Sequence, residues 1–149
     1  MIRDALSVVF AGSGGSGAMA AGELLVRAAA EAGYYATMNR LFGPQVIGGE
    51  AASLIQISVQ PVTYVPERYD IFVALDWERV DQFAPEIPLD ADSIILSDPA
   101  SGPIPASIAK AKAKNIALIM NVSGAKSSGR HRGGSKTVSY THLTLPTKA

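Results

Sequence analysis

Gly12-Ser13-Gly14-Gly15-Ser16-Gly17 joins an apolar run to an amphipathic one, and this junction limits the possible folds more than any other feature of the chain. Ahead of it, Leu6 to Ala11 (LSVVFA) is short, apolar and β-branched, which predicts a buried strand. Behind it the period changes. Ala18, Ala21, Leu25, Ala28 and Ala32 fall on one helical face, while Glu23, Arg27 and Glu31 form a charged stripe at i, i+4, i+8. Gly33 stands where a helix needs a left-handed residue to stop.

The remaining segments continue the alternation. Tyr34 to Met38 predicts a second strand with both tyrosines half-buried, and Gly43-Pro44 and Gly48-Gly49 place a loop over residues 39–50. Strands follow at Ala52–Val59, Tyr69–Leu75, Ser93–Ser97 and Ile116–Met120. Between them, Asp76 can cap a short helix whose apolar side is Trp77, Val80 and Phe83, stopped before Pro85. Pro105 to Lys114 predicts another, with Ile104, Ile108 and Ala111 on one side and lysines near its C-terminal end. Alternating strands and helices imply an α/β, Rossmann-like three-layer fold: a mainly parallel sheet with helices on both faces. No covering helix is evident after the strand at 116–120, so the domain is expected to be C-terminally truncated.

Glycine in the first turn permits positive φ, expected at Gly14 among others, and close approach of a ligand to backbone. Gly12, Gly14 and Gly17 satisfy G-x-G-x-x-G in a strand–turn–helix context, where exposed N–H groups attract anions. Two readings stand: an anion site, or a tight turn that binds nothing. A dinucleotide fold also wants an acidic residue at the end of the second strand, and that place holds Met38-Asn39-Arg40. NAD is disfavoured, and Arg40 leaves an NADP-binding Rossmann domain of a small reductase as an alternative. A Walker loop is excluded, because no Lys-Ser or Lys-Thr follows Gly17.

Composition narrows the function classes. The chain's 149 residues include no cysteine, which removes disulfide scaffolds, iron–sulfur ligation and thiol nucleophiles. No apolar run approaches the ~18–20 residues of a membrane span, and Asp4 spoils any export signal. The expected setting is cytoplasmic. Residues 126–149 carry five basic and no acidic residues, which leaves 8 basic against 13 acidic in residues 1–125, a net of −5. That acidic body argues against a nucleic-acid partner. KSSGRHRGGSKT has no apolar residue, and SYTHLTLPTK resembles adapter or vector read-through, so 126–149 are expected to be a disordered, non-native tail behind a domain at 1–125. His131 and His142 fall in that tail. Asp76 and Asp98 end predicted strands and are read as caps, and Trp77 as core. No catalytic constellation and no metal-ligand set can be argued from the body.

Leu41-Phe42-Gly43-Pro44-Gln45-Val46-Ile47-Gly48-Gly49-Glu50-Ala51-Ala52-Ser53 is a second glycine-rich string. With AGSGGSGAMAAGELL and the spacing between them, it resembles the gamma domain of 2-oxoacid:ferredoxin oxidoreductases, in the form that opens the alpha subunit. Gly12, Gly14, Gly15 and Gly17 match the family's first motif, and Gly43, Pro44, Gln45, Gly48, Gly49 and Glu50 match its second. Ser16 stands where the family often has Gln, and Ile47 where it usually has Arg; isoleucine supplies bulk but no fork of donors.

The resemblance implies an accessory domain, not catalytic alone, of an enzyme that converts a 2-oxoacid and coenzyme A to acyl-CoA and carbon dioxide and passes electrons to ferredoxin. It places thiamine diphosphate, magnesium and iron–sulfur clusters in partner domains or subunits and leaves coenzyme A as the one possible ligand here. The residues expected to face it are Gly12, Ser13, Gly14, Gly15, Ser16 and Gly17 with Gly48 and Gly49. A pure interaction module with no ligand is the remaining possibility.

Overall fold

In the computed structural model the structure describes residues 4–42, 51–78 and 80–117. Six strands form one sheet in the order β2-β3-β1-β4-β5-β6. They are β1 (Ala5–Gly12), β2 (Tyr35–Phe42), β3 (Ala51–Ser58), β4 (Ile71–Ala74), β5 (Ile94–Ser97) and β6 (Lys114–Ala117). The β1–β4, β4–β5 and β5–β6 pairs are parallel, whereas β3 is antiparallel to both β1 and β2. Five strands therefore point one way and β3 alone runs against them. The sheet is mainly parallel, as expected, with one reversal that hydrophobic pattern does not reveal. Its cause is the link between β2 and β3, residues 43–50, which is too short for a crossover helix and permits only reversal.

Helix α1 (Ala18–Glu31) lies on one face, and α2 (Val80–Phe83) and α3 (Ala106–Ala109) on the other. Alternation along β1 serves both layers, because Val8 and Val9 are each buried but point to opposite faces. Val9, Phe72, Ile95, Val80, Phe83 and Ile108 build the core beneath α2 and α3. Val8, Ile55 and Val73 pack with Leu25, Val26 and Met38 beneath α1. Each fully buried Phe, Ile or Val side chain contributes about 1.5–3 kcal/mol.

α1 ends as expected. Gly33 has φ 86°, its N–H donates to the Ala30 carbonyl and the Tyr34 N–H to that of Ala29, the paired bonds of a Schellman stop. Its buried face differs from the expected one. Ala18, Gly22 and Ala29 are buried, whereas Ala28 and Ala32 are exposed. Both sets have helical spacing, and Gly22 decides between them. A Cβ there would lie 2.7 Å from the Ser53 Cβ on β3, so only glycine lets α1 settle this close.

Other boundaries also moved. β2 continues through Asn39, Arg40, Leu41 and Phe42, which were expected in the loop, because each pairs with β3. Tyr34 and Tyr35 are 48% and 52% exposed, about half-buried as expected, at the start of edge strand β2. The helix expected at Pro105–Lys114 is one turn, Ala106–Ala109. Ile108 is its only buried residue, Lys112 takes φ 53°, and Lys114 already opens β6. Residues 118–149, including the tail, lie outside the described residues.

Candidate functional site

The glycine turn leaves the C-terminal end of β1, the edge of a parallel sheet where α/β proteins hold ligands. Positive φ falls at Gly15 (86°) and Gly17 (96°), not at Gly14 as expected. Gly17 is the left-handed cap of α1, and no side chain caps the helix or puts an acid in its first turn. The early N–H groups of α1 therefore keep their partial positive charge without a side-chain acceptor. Gly12 is needed for a different reason. A Cβ there would sit 2.8 Å from Ser16 Cβ and 3.3 Å from an Asp76 carboxylate oxygen.

Asp76 opens a turn and also holds the glycine turn. Its carboxylate accepts from the Ser13 N–H at 3.0 Å, from the Ser13 hydroxyl at 2.7 Å and from the Glu78 N–H at 3.0 Å. It starts the turn after β4 and clamps the glycine turn after β1 at once. The register explains why: Ala11 pairs with Ala74, so Ser13 and Asp76 emerge two residues later from neighbouring strands. Asp76 does not cap α2, which begins only at Val80; its bond to the Glu78 N–H opens a turn instead, the simpler role that the end of a strand suggests. The clamp was not legible in the sequence, because it needs β4 to lie beside β1. Asp98 caps more simply, accepting from the Ala100 N–H at 2.9 Å.

Two buried polar atoms beside this rim have no partner among the described residues, the Ser16 hydroxyl oxygen and Trp77 Nε1. Buried polar atoms are almost always paired, so orphans of this kind mark a place for water or a ligand. Trp77 stacks on Phe72 with ring centroids 6.1 Å apart and planes 7° apart, so its ring is core as expected while its N–H is orphaned.

The second motif, with Gly48 and Gly49, lies outside the described residues, but its anchors do not. Gly12 pairs with Ala51, and Ala51 pairs with Phe42. The loop thus departs from and returns to the sheet in the same row as the end of β1. Antiparallel β3 produces this juxtaposition, because it reverses the chain at the rim where the first turn sits. The structure brings the described residues Gly12 to Gly17 together with Asp76 and Trp77.

Arg40 does not join them. Its guanidinium pairs with Glu23 at 2.7 Å on the exposed surface, and β3 separates β2 from β1. Among the described residues no group of three or more His, Cys, Asp or Glu is placed to hold a metal ion, and no helix is long and apolar enough to cross a membrane.

The sequence matches the family model for pyruvate ferredoxin/flavodoxin oxidoreductase over residues 7–140. No curated protein sequence matches it. Similar solved structures include 2-oxoglutarate:ferredoxin oxidoreductase from Magnetococcus marinus with 2-oxoglutarate, coenzyme A and succinyl-CoA bound (23% identity, TM-score 0.63, 81% of this chain and 20% of that one). The keto/oxoacid ferredoxin oxidoreductase gamma subunit from Geobacter sulfurreducens is also similar (23%, TM-score 0.58, 77% and 62%). So is pyruvate oxidoreductase subunit PORC from Thermotoga maritima (22%, TM-score 0.52, 74% and 57%). The chain spans less than two thirds of each of these relatives, and at such identities the likeness establishes the fold. By the extent of its family match, the chain belongs to the pyruvate ferredoxin/flavodoxin oxidoreductase family.

Proposed function

We propose that this chain is the gamma-type accessory domain of a cytoplasmic 2-oxoacid:ferredoxin oxidoreductase, and that the rim formed by Gly12–Gly17 and the 43–50 loop receives coenzyme A. Family membership supports the enzyme class. The observation that carries the ligand is the uncapped start of α1 beside the orphaned Ser16 hydroxyl.

The residues fit an anionic group of coenzyme A on one side and limit it on the other. First-turn N–H donors of α1 and the Ser16 hydroxyl suit a phosphate oxygen. Asp76, whose carboxylate already takes the Ser13 N–H, keeps that phosphate on the helix side of the turn. Coenzyme A supplies the thiol that carries the acyl product away. Oxidation, decarboxylation and electron transfer belong to partner domains, which would hold thiamine diphosphate, magnesium and the clusters. With no cysteine, this chain has no thiolate for a cluster.

The NADP alternative loses its anchor. Arg40 is two strands from the glycine turn and is paired with Glu23.

Titration calorimetry of coenzyme A into the chain assembled with its partner subunits tests the reading. Saturable binding that NADPH does not reproduce is expected. An assembly that forms and binds no coenzyme A removes the ligand assignment, and failure to assemble at all removes the subunit assignment.

A further inference from the structure

Of the two unpaired polar atoms beside the rim, the coenzyme A reading uses only the Ser16 hydroxyl. Trp77 Nε1 is the other. An indole nitrogen can only donate, so Trp77 needs an acceptor that the described residues do not supply. Buried indole N–H groups usually find a partner, and a bond of this kind left unmade is costly.

The place of the ring decides how a ligand reaches it. Trp77 stands in the turn between β4 and α2, one residue after Asp76. Its ring stacks on Phe72 and packs on the core beneath α2 and α3. The side chain as a whole is only partly buried, so the ring reaches the surface while its N–H lies beneath. Turns adjust more readily than the strands they join, and a small shift here presents the N–H at the rim. Ser16 stands on the other face, just before the Gly17 cap of α1. A Cβ on Gly12 would lie 2.4 Å from the Ser16 hydroxyl oxygen and 3.3 Å from an Asp76 carboxylate oxygen, so the rim between them is narrow. The two donors flank the sheet edge, and the Asp76 carboxylate stands between them.

Charge selects the acceptor. A phosphate beside Trp77 would face the Asp76 carboxylate at close quarters, and the apolar surroundings of the ring make an ion expensive there. A neutral carbonyl oxygen meets neither objection. Within coenzyme A the pantetheine arm fits best, since its methylene groups suit the apolar side and its amides supply the carbonyl. The adenine ring nitrogens are the competing neutral acceptors.

We propose that Trp77 Nε1 donates to an amide carbonyl of the pantetheine arm, with the coenzyme laid across the rim from the start of α1 to the α2 face. Trp77 then recognises the arm and not the nucleotide, an assignment that rests on the coenzyme A reading above.

Trp77 is the only tryptophan of the chain, so isotope-labelled tryptophan gives a single indole N–H resonance when the labelled chain is assembled with unlabelled partner subunits. Coenzyme A should move that resonance downfield and saturably. 3′-Phospho-ADP, the coenzyme without its arm, should bind by calorimetry and leave it in place. Trp77→Phe keeps a ring against Phe72 and removes the donor. It should weaken coenzyme A about tenfold and leave 3′-phospho-ADP unchanged. Trp77→benzothienylalanine keeps the bicyclic shape with sulfur in place of N–H and should do the same, even if phenylalanine loosens the turn. A resonance that stays put at saturating coenzyme A overturns the assignment, as does equal weakening of both ligands in the variants. An equal shift with 3′-phospho-ADP overturns it too and gives the donor to adenine. An assembly that binds neither ligand removes the coenzyme A reading itself, and the role of Trp77 with it.

Discussion

Gly12 and Ser16 are a pair that only makes sense together. Alanine at Gly12 would bring its Cβ within 2.8 Å of Ser16 Cβ, in a turn clamped by Asp76, so the neighbours have little room to move. Overpacking of this kind costs about 1–3 kcal/mol. Gly12→Ala should therefore lower the urea-unfolding free energy by that amount, and the added change Ser16→Gly should restore part of it. Non-additivity in such a cycle is the signature of direct contact; strictly additive effects would show that the turn relaxes without Ser16. The same site shows what a residue-by-residue reading could reach. Gly12, Gly17 and Gly33 announced themselves through pattern. The Ser13–Asp76 clamp did not, because two residues separated by 63 positions meet only once the strand order is known.

Among the elements, α1 and β3 set each other's position. Gly22→Ala offers a test in which two effects oppose. Alanine gains up to about 1 kcal/mol of helix propensity. It also drives a methyl group against Ser53, which is fully buried and donates its hydroxyl to the Ala18 carbonyl at 2.9 Å. The steric term is larger, so net destabilisation by about 1–2 kcal/mol is expected. A rise in melting temperature would show instead that α1 shifts outward freely. Element existence was largely legible, as all six strands and the helices were foreseen. The strand order was not. The apolar run Ala52–Val59 reads the same whether it runs with or against its neighbours, and only the shortness of residues 43–50 hinted at reversal. The helix expected at Pro105–Lys114 is cut to the single turn α3 because its alanines and lysines have the propensity but, within that turn, only Ile108 is buried.

On the scale of the whole molecule, the buried phenol of Tyr69 links stability to pH. Tyr69 is 3% exposed in the core with Phe83 and Ile87, and burial raises its pKa above the usual phenol value. The folded state thus holds its proton more firmly than the unfolded chain does. This contribution is complete below about pH 10 and is lost as pH rises through the higher folded-state value. Tyr69→Phe keeps the packing and removes the proton, so denaturant titrations of the two proteins should differ in how steeply stability falls above about pH 10. Parallel curves would place the phenol in contact with water.

The lone reversed strand carries a consequence for how such a domain can diversify. Where a chain crosses over to reach the next strand, changing the length of the passage drags a helix with it. Where it doubles back, as between Phe42 and Ala51, residues can be gained or lost at the bend while every rung of the ladder stays paired. The end of β1 is thus bolted to a helix, whereas the two strands paired beside it can accept a longer or shorter link without disturbing the core.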